Sequence, residues 1–543
     1  MKTILRKTST LLAAVLLLGS CIKETEPTSV ATPDQINKNS AALEATITGI
    51  CSALHKNYFG YNANNNSAFP FDFGYEAMAQ IRDLYCQDMP LINAEGWDWF
   101  SPWSRNVAMG DGYLYGQLVW NYYWALLKTA NDAISVIDED SATATQLHYL
   151  GIAKCFRALA YLDMGRMYEF KPNKYTSAPE VEGLTVQIVT PGMTEAEARD
   201  NPRVTKEKMC EFILGDLEDA VKFLDGYVPA ARNFPTQSVA YGLMARTYLW
   251  LEDYPKAKQA AQDALDAGSY SVLTSAQWHD TATGFNNSSA TGSWMWADMI
   301  SSTDPTLVND DGGASWMGWI SNEQMFGYSG YAGGLRAADR SFYERISDTD
   351  FRKTSFLAPR GSALRGQTRF CASTDPDLIA ILPDYSSVKF RPGQGNTTVP
   401  TVGGAVDFPL MRCEEMHFII AECDARSGSA TTLVNLVKTR DPNYTCTKTG
   451  DDLIEEVIFQ KRVEFWGEGI VFFDFKRLNL SITRGYKGTN HLVDLSAFNT
   501  DGMAPWLNQC AVRTEHSQNP AFVNNPDPSG TVPFWKDPDA AGN

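Results

Sequence analysis

Seven tryptophans stand in stretches that lack helical or strand periodicity: Trp97, Trp99 and Trp103 in EGWDWFSPW, Trp294 and Trp296 in TGSWMWADM, and Trp316 and Trp319 in ASWMGWI. Exposed indole is unfavourable at about 25 cal/mol per Å2 of apolar surface, so clusters of it in loops need a reason. One reason is to present ring faces to the apolar C–H face of a sugar, whose hydroxyls then require amide, carboxylate or guanidinium partners. Asp72, Arg82, Asp88, Asn93, Asp98, Asp298, Asn322 and Gln324 lie close by in sequence, and Tyr328 and Tyr331 add rings that also hydrogen-bond. The candidate binding set is therefore Trp97, Trp99, Trp103, Asp72, Arg82, Asp98, Trp294, Trp296, Trp316, Trp319, Tyr328 and Tyr331. The competing reading of any single ring is that it cements a loop-rich region.

Catalytic constellations are sparse. Gly327-Tyr328-Ser329-Gly330 misses the G-x-S-x-G elbow by one position. No phosphate-cradling G-x-x-x-x-G-K-[ST] run occurs, and Gly393-Gln394-Gly395 lacks the third glycine of a dinucleotide loop. Glu414 and His417 form half of a di-iron signature whose second copy is absent, which reads as a surface helical pair. A glycosidase needs two carboxylates about 5 to 10 Å apart, and 64 acidic residues cannot settle that by counting. No cofactor is assigned; the loops could hold calcium, but no D-x-[DN]-x-[DN]-G run supports it.

The formal charge of −18 and the absence of any Lys/Arg run longer than two argue against a nucleic-acid partner. Met1–Ser20 reads as a signal peptide, with Lys2, Arg6 and Lys7 ahead of an apolar run from Leu11 to Leu18 too short to span a bilayer. Cys21 follows Leu18-Gly19-Ser20 as in a bacterial lipobox, so it is the expected site of lipidation, which gives stable anchoring when two or more chains are attached. Residues 21–35 read as an acidic tether, either an export signal or a solvated linker. Loss of the signal takes the formal charge from −18 to −21. Nine further cysteines, an odd number and without a CxxC pair, predict at least one free thiol and no zinc ribbon.

The elements that must hold these loops are helices. Stretches 145–168, 205–225 and 113–138 carry apolar residues at helical spacing, and such stripes need other helices to cover them. In 238–268, Tyr241, Met244, Ala245, Tyr248, Ala257, Ala264 and Leu265 keep the offsets of a tetratricopeptide helix pair turning at Asp253-Tyr254, with Glu252 in place of the usual turn glycine. Further helix pairs are expected at 113–168 and 409–439. Between about 270 and 408 the pattern fades into Gly, Ser, Asn, Asp and Thr, long enough to suggest functional loops.

Arg412, Glu415, Ala421 and Glu422 in MRCEEMHFIIAECDA, and Arg462, Glu464, Glu468, Gly469, Asp474 and Arg477 in QKRVEFWGEGIVFFDFKR, together with Ala153, Lys154, Arg157, Ala158 and Tyr161, resemble conserved helices of the SusD/RagB outer-membrane lipoproteins. The likeness runs from Cys21 almost to the end. Lys461 stands where that family usually has Glu or Arg, and Val471 where Arg is common, which puts local ion pairing in question. The resemblance implies a mainly α fold: a single domain over 36–543, with tetratricopeptide-like repeats at about 113–268 and 409–480 and a loop-rich insert at about 270–408. It implies pairing of Glu464, Glu468, Asp474 and Arg477 across helix ends. It also implies a non-catalytic, cell-surface, glycan-binding lid on a SusC-like TonB-dependent transporter. The alternatives are a RagB-like peptide-binding lid, a surface glycosidase and a structural lipoprotein.

Overall fold

The computed structural model describes residues 33–56, 60–62, 67–93, 98–308, 312–330 and 333–539. The signal peptide, Cys21, most of the tether, Trp97 and Tyr331 lie outside them.

Helix Ala144–Tyr168 is the axis of the molecule. It begins at a capping box in which Thr143 Oγ1 accepts from the Gln146 amide (3.3 Å) while Gln146 Oε1 accepts from the Thr143 amide (2.8 Å). From Leu150 onward almost every residue is buried, not one stripe alone, because helices cover it on several sides. Leu114–Ser135, Lys206–Phe223 and Gln237–Trp250 all pack on it. Its polar residues are paired where they sink inward: Arg157 grips Asp216 with two bonds of 2.7 Å. Gly165 permits the closest approach, since a Cβ there would lie 2.6 Å from the Trp250 ring.

Gln237–Trp250 and Tyr254–Asp266 form the expected repeat pair, with Ala245, Ala257 and Ala264 fully buried between them. Glu252 occupies the turn with φ +61°, the conformation for which glycine is usual, and Asp253 caps the second helix by accepting from the Lys256 amide. The stack continues through Cys413–Arg426 and Gly450–Glu464, giving a mainly α, tetratricopeptide-like architecture.

Two expectations need correction. The segment containing Trp294 and Trp296 is a β-strand, Trp294–Met299, paired antiparallel with Asp407–Arg412 in the register Trp294↔Arg412 and Met299↔Asp407. The helix expected from 409 accordingly starts only at Cys413. Both faces of the short sheet are buried, so its sequence is an apolar run without alternation, which periodicity cannot separate from loop or helix.

The signature residues fasten these parts together. Glu464, the last residue of its helix, accepts from Arg352 (3.1 Å), Arg412 (3.2 Å) and Arg440 (3.0 Å). Burial works against its charge, yet Arg440, Arg412 and Arg352 hold the Glu464 carboxyl well below the usual carboxylate range. Glu468 takes Arg412 (3.0 Å) and Lys389 (2.7 Å), and Arg477 bonds Glu422 and Asp474. Lys461 keeps an ion pair despite its departure from the family pattern, meeting Asp474 at 2.7 Å. Glu414 is not on the surface: it is fully buried against Arg412 and Arg440 (3.1 Å each). The nine cysteines after Cys21 form no disulfide.

Candidate ligand-binding face

Most of the predicted platform is interior. Trp103, Trp294, Trp296, Trp316 and Trp319 are each 0–1% exposed. Trp296 meets Phe156 edge-on at 5.0 Å and donates Nε1–H to the Asn233 carbonyl (3.0 Å). Trp316 sits edge-on between Phe390 (5.2 Å) and Phe408 (5.0 Å), and Trp103 between Phe71 (5.3 Å) and Tyr115 (5.0 Å). The physical reason is area: an aromatic side chain buries about 150–250 Å2, which at about 25 cal/mol per Å2 makes it the strongest cement for a half with little regular sheet.

The polar candidates are likewise internal. Arg82 donates to the Gly469 carbonyl (2.9 Å), Tyr123 (2.6 Å) and Asp163 (3.0 Å). Asp88 holds Arg462, Asp298 holds His55, and Asn322 ties the backbones of Arg336 and Ser387. Asp72 and Gln324 are buried as well. None of these reaches the surface.

What remains at the surface is an ordered aromatic arrangement. Tyr328, half-buried, lies parallel on Trp319 at 4.4 Å and 6°. Phe69, also half-buried, lies parallel on Phe71 at 5.1 Å and 7°. Phe100 joins the two inner rings, 4.9 Å from Trp319 and 6.3 Å from Phe71, and Trp319 Nε1 donates to the Pro70 carbonyl at 2.7 Å. Each outer ring thus rests on a rigid inner ring. The turn carrying Tyr328 is pinned by its amide bond to the Gly318 carbonyl (2.7 Å) and by Gly327, whose φ of +74° and 2.5 Å from a would-be Cβ to Gly318 Cα demand glycine. Trp99 is half-buried beside Phe100, and half-buried Asn93 donates to the Gly333 carbonyl at 3.3 Å.

Behind the rings, Arg336 lies 5.5 Å from the Trp319 centroid and 5.8 Å from that of Phe100, clamped by Asp98 at 2.9 and 3.2 Å. Of the predicted set, the structure therefore brings Trp99, Asp98, Trp319 and Tyr328 together. Phe69, Phe71, Phe100 and Arg336 belong to the same assembly and were not anticipated. The alternation in Phe69-Pro70-Phe71-Asp72-Phe73 is the signal that could have found the first two.

Glu76 and Asp298 come together beside His55, but both carboxyls are buried. Burial and Asp298 push Glu76 well up, while Asp298 and Asp304 raise His55 to about 11 against the effect of burial. Among the described residues no group of three or more His, Cys, Asp or Glu is placed to hold a metal ion, and no helix is long and apolar enough to cross a membrane. A cleft of about 150 Å3 lined by Arg345, Asp441, Tyr444, Glu456 and Phe459 lies on the C-terminal helices and includes none of the predicted residues.

Residues 384–520 match the model of the SusD family. SusD-like protein P38 of Formosa agariphila is 28% identical over 267 residues, 49% of this chain and 46% of that protein. The chain spans less than half the length of the curated relatives it matches. A SusD-like carbohydrate binding protein from Bacteroides vulgatus superposes with TM-score 0.67 at 20% identity, covering 89% of this chain and 97% of the other. Surface glycan-binding protein A of Bacteroides thetaiotaomicron, solved in complex with laminarihexaose, superposes with TM-score 0.62 at 15% identity, covering 90% and 99%.

Proposed function

We propose that this chain, which belongs to the SusD/RagB family, binds glycan without cleaving it. The observation that carries this reading is the pair of stacked aromatics Tyr328/Trp319 and Phe69/Phe71, each an outer ring backed by a buried one. A sugar's C–H face covers such a ring, and the amide of Asn93 and the phenol of Tyr328 suit its hydroxyls. Support comes also from the similar fold of two proteins described as carbohydrate- or glycan-binding. The wider role follows the family: a lipoprotein anchored through Cys21 at the outer face of the outer membrane, acting as lid of a SusC-like TonB-dependent transporter that imports the captured glycan.

Affinity electrophoresis in polysaccharide gels tests the binding role. Tyr328→Ala and Trp99→Ala should each weaken retention at least tenfold while the thermal transition moves little. Unchanged retention in both variants, or retention of peptides instead of glycans, ends the proposal. Hydrolysis products in the same gels would restore the enzyme reading. Co-purification of the full-length lipoprotein with a large β-barrel partner tests the lid role, and its absence removes it.

A further inference from the structure

Resting on the glycan reading, we infer that this face takes neutral saccharides and discriminates against those bearing uronate or sulfate, because Asp98 cancels the guanidinium lying behind the rings. Arg336 and Asp98 meet through two hydrogen bonds, their side chains 1% and 5% exposed. The guanidinium lies 5.5 Å from the centre of Trp319, and Tyr328 stacks on that same ring at 4.4 Å. A ligand stacked on Tyr328 would sit within about two Debye lengths of that charge, with aromatic carbon rather than salt solution between much of the path. Uncompensated, the charge would act through this low-dielectric path and favour an anionic ligand. With Asp98 in place it leaves little field.

The one guanidinium of the predicted set, that of Arg82, is equally engaged. Recognition of a carboxylate or sulfate works best with a free arginine fork, and Arg82 spends its nitrogens on Gly469, Tyr123 and Asp163. Among the described residues at the face, half-buried Asn93 offers a neutral amide and half-buried Tyr328 a phenol. The chain's formal charge of −18 adds a long-range repulsion against polyanions at low ionic strength.

Calorimetry of the full chain distinguishes the outcomes. The probes are neutral gluco-, manno-, xylo- and galacto-hexaoses set against oligogalacturonate and sulfated galactan hexamers. At least one neutral hexaose should bind tenfold or more tighter than either anionic probe, and Asp98→Asn should narrow that ratio severalfold by strengthening the anionic arm. Because Asp98→Asn strands a buried guanidinium and can unfold the chain, the double variant Asp98→Asn, Arg336→Met serves beside it. With both charges gone it should keep the wild-type preference. Anionic probes binding the wild type as tightly as neutral ones, or more so, overturn this inference and leave the glycan reading standing. Binding of neither kind overturns both.

Discussion

Aromatic rings serve two roles in this chain, and single substitutions separate them. Trp296 is buried against Phe156, whereas Tyr328 is half-buried on Trp319. Trp296→Ala should cost about 3–5 kcal/mol of stability through the cavity it leaves, read as a lowered urea midpoint. Tyr328→Ala should cost far less, since part of that ring is already in water. Equal losses in the two variants would contradict the division into core and face. Glu464 poses the matching electrostatic question. Its carboxylate meets three guanidiniums, so Glu464→Gln leaves buried positive charge without its partner and should cost about 3–5 kcal/mol. A denaturation midpoint within experimental error of wild type would show that the cluster is not a structural fastening.

At the scale of elements, the repeat pair shows how a sequence departure is absorbed. Glu252 holds a left-handed conformation that for a non-glycine residue costs on the order of 1 kcal/mol. Glu252→Gly should therefore be neutral to about 1 kcal/mol stabilising, and Glu252→Val, with a branched Cβ at φ +61°, should be destabilising by more than that. Loss of stability in the glycine variant would mean that the Glu252 side chain, not the turn, sets the geometry. The helices were legible because their apolar spacing and caps are local: Thr143 with Gln146, and Asp253 with the Lys256 amide. The strand Trp294–Met299 was not, because its partner lies more than a hundred residues away and its two faces are both buried.

Across the whole molecule, His55 joins the end of the N-terminal helix Ser40–Leu54 to Asp298 (2.7 Å) on the strand and Asp304 (2.9 Å) beyond it. Its pKa rises from 6.5 to about 11, so this contribution is fully present below pH 6.5 and fades as pH climbs toward 11. The stability margin of wild type over His55→Asn should thus shrink between pH 6 and pH 10 in matched urea titrations; a constant margin would falsify the linkage. The sequence by itself determined the helical repeats, the family signature and the acidic charge, since these rest on spacing along a few turns and on counting. It also marked loop aromatics as the chemistry to watch. Only the tertiary structure decided which of those rings were core, because exposure depends on segments remote in sequence: Phe71 and Phe100 seal Trp103, Phe156 seals Trp296, and Trp319 is covered by the very tyrosine it supports. Burial is a property of the assembled surface, and no local pattern of side chains encodes which face of a ring will meet water.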